Sequence, residues 1–142
     1  MVNKPDRTPL LGVHYAHRGL FDNESDAPEN SLAAFKKAVE AGYGMEFDVQ
    51  LSKDDIPIVF HDATLQRMCG VEGNVWEYTL KELQQMKLQQ SNETIPTLEQ
   101  VLRVVAGKVP LIIEYKMDKL YFNATISGRG KFIFSGRIKD IL

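Results

Sequence analysis

The sequence predicts an α/β fold built on a parallel sheet. Three observations carry this. Short apolar runs alternate with stretches of helical period, helix-start and helix-stop residues fall at the joints, and the polar residues of the apolar runs gather at their carboxyl ends. At 142 residues the chain is long enough for a single domain, residues 1–142, with a core of its own.

The elements follow in order. Gly12 to His17 reads as the first strand, followed by a polar loop from Arg18 to Asn30. A helix is expected from about Ser31 to Ala41, because Leu32, Phe35, Ala38 and Val39 make one apolar face. Asn30 or Ser31 caps its start, and Gly42 supplies a left-handed stop. Met45 to Leu51 is the second strand. Asp54 and Asp55 make a tight turn into a third, Ile56 to Phe60, which is short and apolar as a buried parallel strand should be. Asp62 to Tyr78 is irregular, with one helical turn at Leu65 to Met68.

Two helices then open on capping boxes. Thr79 and Glu82 bracket the first, with Leu80, Leu83 and Met86 on its buried side. Thr97 and Gln100 bracket the second, with Leu98, Val101, Leu102 and Val105 buried and Gly107 as its stop. Val109 to Tyr115 is the fourth strand. Beyond Asp118 the alternation weakens; Phe132 to Phe134 reads as a short strand and Ile138 to Leu142 as a helical stub.

Composition excludes several classes. The apolar fraction of 44% and charged fraction of 25% are those of a globular domain, and a net charge of −2 argues against a nucleic-acid binder. Cys69 is the single cysteine, so no intrachain disulfide forms, and it reads as a partly buried loop thiol. Met1 to Pro9 lacks the apolar stretch of a secretory signal, and no run approaches the roughly 20 residues that cross a bilayer; a cytoplasmic protein without a transmembrane segment is expected. The N-x-S/T triplets at Asn23, Asn92 and Asn123 then read as chance. Gly128-Arg129-Gly130-Lys131 lacks the first glycine of the phosphate-loop spacing. Trp76 reads as a packing residue and His14 as a core histidine.

The chemistry lies at the strand ends. Strand one ends in His17-Arg18, strand two carries Glu46 and Asp48, strand three ends in His61-Asp62, and strand four ends with Glu114 and Lys116. In parallel α/β folds this rim holds the ligand. Residues two apart share a strand face, so Glu46 and Asp48 project together, as do Glu114 and Lys116. Three converging carboxylates repel one another unless a cation joins them, and an all-oxygen set suits Mg²⁺ or Ca²⁺ better than zinc. His17 and His61 can divide proton donation and acceptance between them. Arg18 offers a fork of donors to a phosphate oxygen and Lys116 a point charge. Together these groups suit the extra negative charge of a phosphorane-like transition state.

Those motifs, in their order and spacing, resemble the glycerophosphodiester phosphodiesterase family over about Val13 to Lys116. The resemblance rests on His17-Arg18-Gly19, Pro28-Glu29-Asn30-Ser31, Glu46-Phe47-Asp48-Val49 and His61-Asp62, with Thr64-Leu65-x-Arg67, Ile95-Pro96-Thr97-Leu98 and Ile113-Glu114-x-Lys116 in support. It implies a TIM barrel and metal-dependent hydrolysis of a small glycerophosphodiester to glycerol 3-phosphate and an alcohol. His17 and His61 would be the general acid–base pair, Glu46, Asp48 and Glu114 the ligands of Mg²⁺ or Ca²⁺, and Arg18 and Lys116 the phosphate holders. Glu29 and Asn30 would support the site. A complete barrel takes eight strands and about 250 residues. About four of its eight strand–helix units are legible, and residues 119–142 make an atypical tail, as in a truncated N-terminal half. Such a sheet would expose unpaired edges and self-associate. Two rival readings are a fragment that keeps the ligands without turnover and a lyase-type phosphodiesterase of phospholipid head groups.

Overall fold

The computed structural model describes residues 8–116 and 132–135. Their strands are β1 (Tyr15–His17), β2 (Gly44–Leu51), β3 (Pro57–Val59), β4 (Leu111–Tyr115) and β5 (Phe132–Ser135). The helices are α1 (Leu32–Glu40), α2 (Gln66–Cys69), α3 (Leu80–Leu83) and α4 (Leu98–Val105). The expected stub at Ile138 to Leu142 and the Gly128–Lys131 segment lie outside the described residues.

Four strands run parallel in the order β1-β2-β4-β5. This is an open sheet of the incomplete TIM-barrel type. The third strand departs from expectation: β3 pairs with β2 antiparallel, Val49 opposite Val59 and Leu51 opposite Pro57. The cause is chain length. A parallel crossover needs about a dozen residues or more, and only Ser52 to Ile56 separate the two strands, so the chain turns back as a hairpin. Ser52 closes that turn, its backbone oxygen accepting from Asp55 N at 3.0 Å and its hydroxyl from Ile56 N at 3.0 Å.

Alternation on β2 sorts the two faces of the sheet. Met45, Phe47 and Val49 join Leu111 and Ile113 of β4 in a core covered by Phe35 and Ala38 of α1 and Leu98, Val101 and Val105 of α4. Phe35 and Phe47 meet at 5.3 Å between ring centroids; burying each ring stabilises the fold by about 2–3 kcal/mol. The even-numbered residues Glu46, Asp48 and Gln50 therefore face the other side. A second core, under the excursion from β3 to α4, packs Ile58, Phe60, Leu65, Met68, Val75, Leu83, Leu88 and Ile95. Trp76 is 48% exposed rather than packed. His14 is exposed too, edge-on to Tyr43 at 6.2 Å.

The helix ends follow their local chemistry. Ser31 Oγ accepts from Ala34 N at 3.1 Å and starts α1, and Gly42, at φ 74°, follows its end. Thr97 and Gln100 exchange hydrogen bonds at 2.9 and 3.1 Å at the start of α4. The left-handed stop of α4 falls one residue earlier than expected, on Ala106 at φ 48°, with Gly107 also at positive φ. No helix among the described residues is long and apolar enough to cross a membrane.

Candidate active site

The sheet register brings the strand-end groups to one level. His17 stands opposite Glu46 on β2, and Asp48 stands opposite Glu114 on β4. β2 runs past this level into the hairpin, and β3 returns the chain to it: Phe60 N donates to Asp48 O at 3.0 Å, which brings the residue before His61 back beside the backbone of Asp48.

Glu46, Asp48 and Glu114 each place a carboxylate oxygen within 4.8 Å of the others, spacing suited to one shared cation. Asp48 is buried, and both its Oδ2 and Glu46 Oε2 are buried without a hydrogen-bond partner among the described residues. Burial, then the neighbouring charge of Asp48, raises the pKa of Glu46 against the opposing pull of His17 and Arg18. Lys116 offsets part of the crowding, with Nζ at 3.2 Å from Asp48 Oδ1 and 3.1 Å from Glu114 Oε1. Partial burial works against its charge, but those bonds prevail and its pKa is raised. Lys116 and the Arg18 guanidinium, itself paired with Glu29, do not match three carboxylates, and the hard oxygen donors fit a divalent cation.

Arg18 follows β1 in a left-handed backbone conformation, φ 59°, and its N donates to Glu46 O at 2.7 Å. That conformation is strained for a residue with a Cβ, and Asn30, at φ 57°, shares it while its N donates to Arg18 O at 3.0 Å. Gly19 must be glycine: at φ 84°, an added Cβ would lie 2.9 Å from the Cβ of Ala34 on α1. The Arg18 guanidinium donates to Glu29 Oε2 at 2.8 Å, while its Nε stands 3.7 Å from Asp48 Oδ2 and has no hydrogen-bond acceptor among the described residues. His17 Nε2 lies 3.6 Å from Glu46 Oε2, and a recess of about 420 Å³ lined by His14, Tyr15, His17, Leu20, Phe21 and Tyr43 opens beside it. His61 Nδ1 lies 2.7 Å from Asp62 Oδ1.

The residues singled out in the sequence lie at the ends of β1 (His17, Arg18) and β4 (Glu114, Lys116), within β2 (Glu46, Asp48) and just past β3 (His61). Sequence reasoning missed Gln50 and gave Arg67 no role. Gln50, buried on the face of Glu46 and Asp48, donates through Nε2 to Phe60 O at 2.8 Å and Asp62 O at 2.7 Å, holding the backbone on both sides of His61. Its period-two spacing from Asp48 was the available signal. Arg67 donates to both oxygens of Asp62, at 2.8 and 3.0 Å, and to Glu29. Cys69 is a partly buried thiol as expected, its pKa pushed up by burial to about 11.

Residues 17–141 match the profile of the glycerophosphoryl diester phosphodiesterase family. Among curated proteins the chain is 40% identical over 109 residues to a glycerophosphodiester phosphodiesterase of Caldanaerobacter subterraneus, covering 71% of this chain and 44% of that protein. It is 32% identical over 96 residues to human glycerophosphodiester phosphodiesterase 1, covering 61% of this chain and 28% of that protein. Among solved structures it is similar to an Oleispira antarctica phosphodiesterase in complex with the product sn-glycerol-3-phosphate, with a TM-score of 0.67 and 36% identity over 75% of this chain and 45% of that one. A Thermotoga maritima glycerophosphodiester phosphodiesterase superposes with a TM-score of 0.62 and 36% identity over 74% of this chain and 44% of that one. The chain thus spans less than half the length of these relatives.

Proposed function

This chain belongs to the glycerophosphoryl diester phosphodiesterase family, and from that premise we propose that its strand-end groups form the site of a metal-dependent phosphodiesterase releasing sn-glycerol 3-phosphate and an alcohol from a glycerophosphodiester. The observation that carries this reading is the cluster of Glu46, Asp48 and Glu114, whose oxygens lie within 4.8 Å of one another. Glu46, Asp48 and Glu114 would hold Mg²⁺ or Ca²⁺, and the ion would supply Lewis-acid charge neutralisation at the phosphate.

The chain's own residues do the rest. Arg18 is tied to Glu29 through one terminal nitrogen, which leaves donors to fix the phosphate in one orientation. Lys116 adds positive charge beside Asp48 and Glu114. His17 stands beside Glu46 and His61 follows β3, and in this reading one takes a proton from the attacking water while the other gives one to the departing alcohol oxygen. The substrate is a small molecule rather than a nucleic acid, and the cytoplasmic placement expected from the sequence belongs to the same proposal.

A second reading is favoured by coverage, since the chain spans 45% of the Oleispira structure: a fragment that binds cation and phosphate without turning over. One experiment separates the readings. Incubation with glycerophosphoethanolamine and Mg²⁺ or Ca²⁺ should release sn-glycerol 3-phosphate, and His17→Ala should lower the rate by about 10²-fold or more. Metal should raise the melting temperature of the wild-type chain and not of Glu46→Gln. Metal-induced stabilisation without product supports the fragment reading, a cyclic phosphate as final product supports a lyase, and no response to metal removes the site altogether.

A further inference from the structure

A line of charged residues runs through the protein from Arg18 to His61. Glu29, 3% exposed, is its centre. One of its oxygens accepts from Arg18 at 2.8 Å and the other from Arg67. Arg67 Nε donates to Asp62 Oδ2 at 2.8 Å and a terminal nitrogen donates to Asp62 Oδ1 at 3.0 Å. Asp62 Oδ1 lies 2.7 Å from His61 Nδ1. A carboxylate held by two guanidinium N–H groups is ionised and only accepts, so the hydrogen between Asp62 and His61 belongs to the imidazole.

We propose that Glu29 and Arg67 are positioning residues that act through Asp62 to fix His61 as the Nδ1–H tautomer, leaving Nε2 as its proton-transferring atom. The clause about proton transfer rests on the catalytic reading of His61 above; the tautomer does not. A solvent-exposed Arg–Asp pair alone is worth little and moves freely. Here the arginine is anchored at its far side by a buried glutamate that is itself held, with Glu29 N donating to Asn23 Oδ1 at 2.9 Å. Gln50 fixes the backbone at Phe60 and Asp62, so the ring has a fixed base as well as a fixed partner. The hydrogen bond at one ring nitrogen determines which tautomer a neutral imidazole adopts. The low pKa of Asp62, about 2, keeps its charge in place throughout the neutral range.

The test is a long-range ¹H–¹⁵N spectrum of the ¹⁵N-labelled chain, without metal, at a pH where the imidazoles are neutral. The chain has three histidines, and His61→Ala assigns the signals of His61. The wild type should show a protonated Nδ1 and an unprotonated Nε2 at His61. Arg67→Gln and Glu29→Gln should each shift His61 toward the Nε2–H form or a mixture, while Arg67→Lys should restore part of the wild-type pattern. Circular dichroism and a Mg²⁺ titration show that the fold and the carboxylate cluster persist in each variant. An Nε2–H signal in the wild type overturns the proposal without any variant, and so does an unaltered Nδ1–H signal in either folded glutamine variant. Absence of turnover with the expected tautomer sinks the catalytic reading alone.

Discussion

The hydrogen bonds that Arg67 gives Asp62 hold its pKa at about 2, down from 3.8, against the opposing effect of partial burial and with help from His61. A folded pKa below the unfolded one means that the stabilisation is full above the unfolded value and is lost as the pH falls toward the folded one. Asp62→Asn should therefore flatten the acid limb of the stability–pH profile between 3.8 and about 2 and cost about 1–2 kcal/mol at neutral pH, after allowance for solvent screening. Denaturant melts across that range check it; superimposable profiles for the two proteins would show that the carboxylate contributes nothing. The strand-end residues were legible because period-two spacing orders them. The bond between Glu29 and Arg67 was not, because it joins a loop to the short helix α2 across 38 residues and no local pattern encodes such a contact.

At the scale of elements, the hairpin of β2 and β3 positions His61, and Gln50 fastens it. Gln50→Leu keeps the burial and removes both hydrogen bonds, leaving the carbonyls of Phe60 and Asp62 without that donor. The expected loss is about 2–4 kcal/mol, read by urea unfolding. Unchanged stability would mean that the ladder alone fixes the hairpin. The element boundaries of α1 and α4 were legible from capping chemistry at Ser31 and Thr97, which is local. The direction of β3 was misread because a short apolar run looks the same in either sense. The five-residue link Ser52–Ile56 held the answer, being far too short for a crossover.

At the scale of the molecule, β1 stands at one edge of the sheet among the described residues. Gly44 N donates to His14 O and Arg18 N to Glu46 O, so the backbone of His14 and Arg18 turns toward β2 and that of Tyr15 and His17 turns outward. An open edge of this kind pairs with another chain, and sedimentation velocity at tens of micromolar should detect species above the monomer. Tyr15→Pro removes an outward donor without touching the bonds to β2 and should restore the monomer. A wild-type chain that stays monomeric at that concentration would exclude association through this edge. Parallel pairing was legible in the alternation of helix and strand.

The register of β4 on β2 also ties ion binding to the order in which the chain assembles. Glu46 and Asp48 are neighbours from the moment β2 forms, but Glu114 reaches them only after the long excursion through α4 has been wound and β4 has docked, Asp48 opposite Glu114. A partly assembled chain has two carboxylates to offer, and the third arrives with the pairing of β4 on β2. Any cation that needs all three therefore discriminates between finished and unfinished molecules, and its grip measures whether the crossover has been completed.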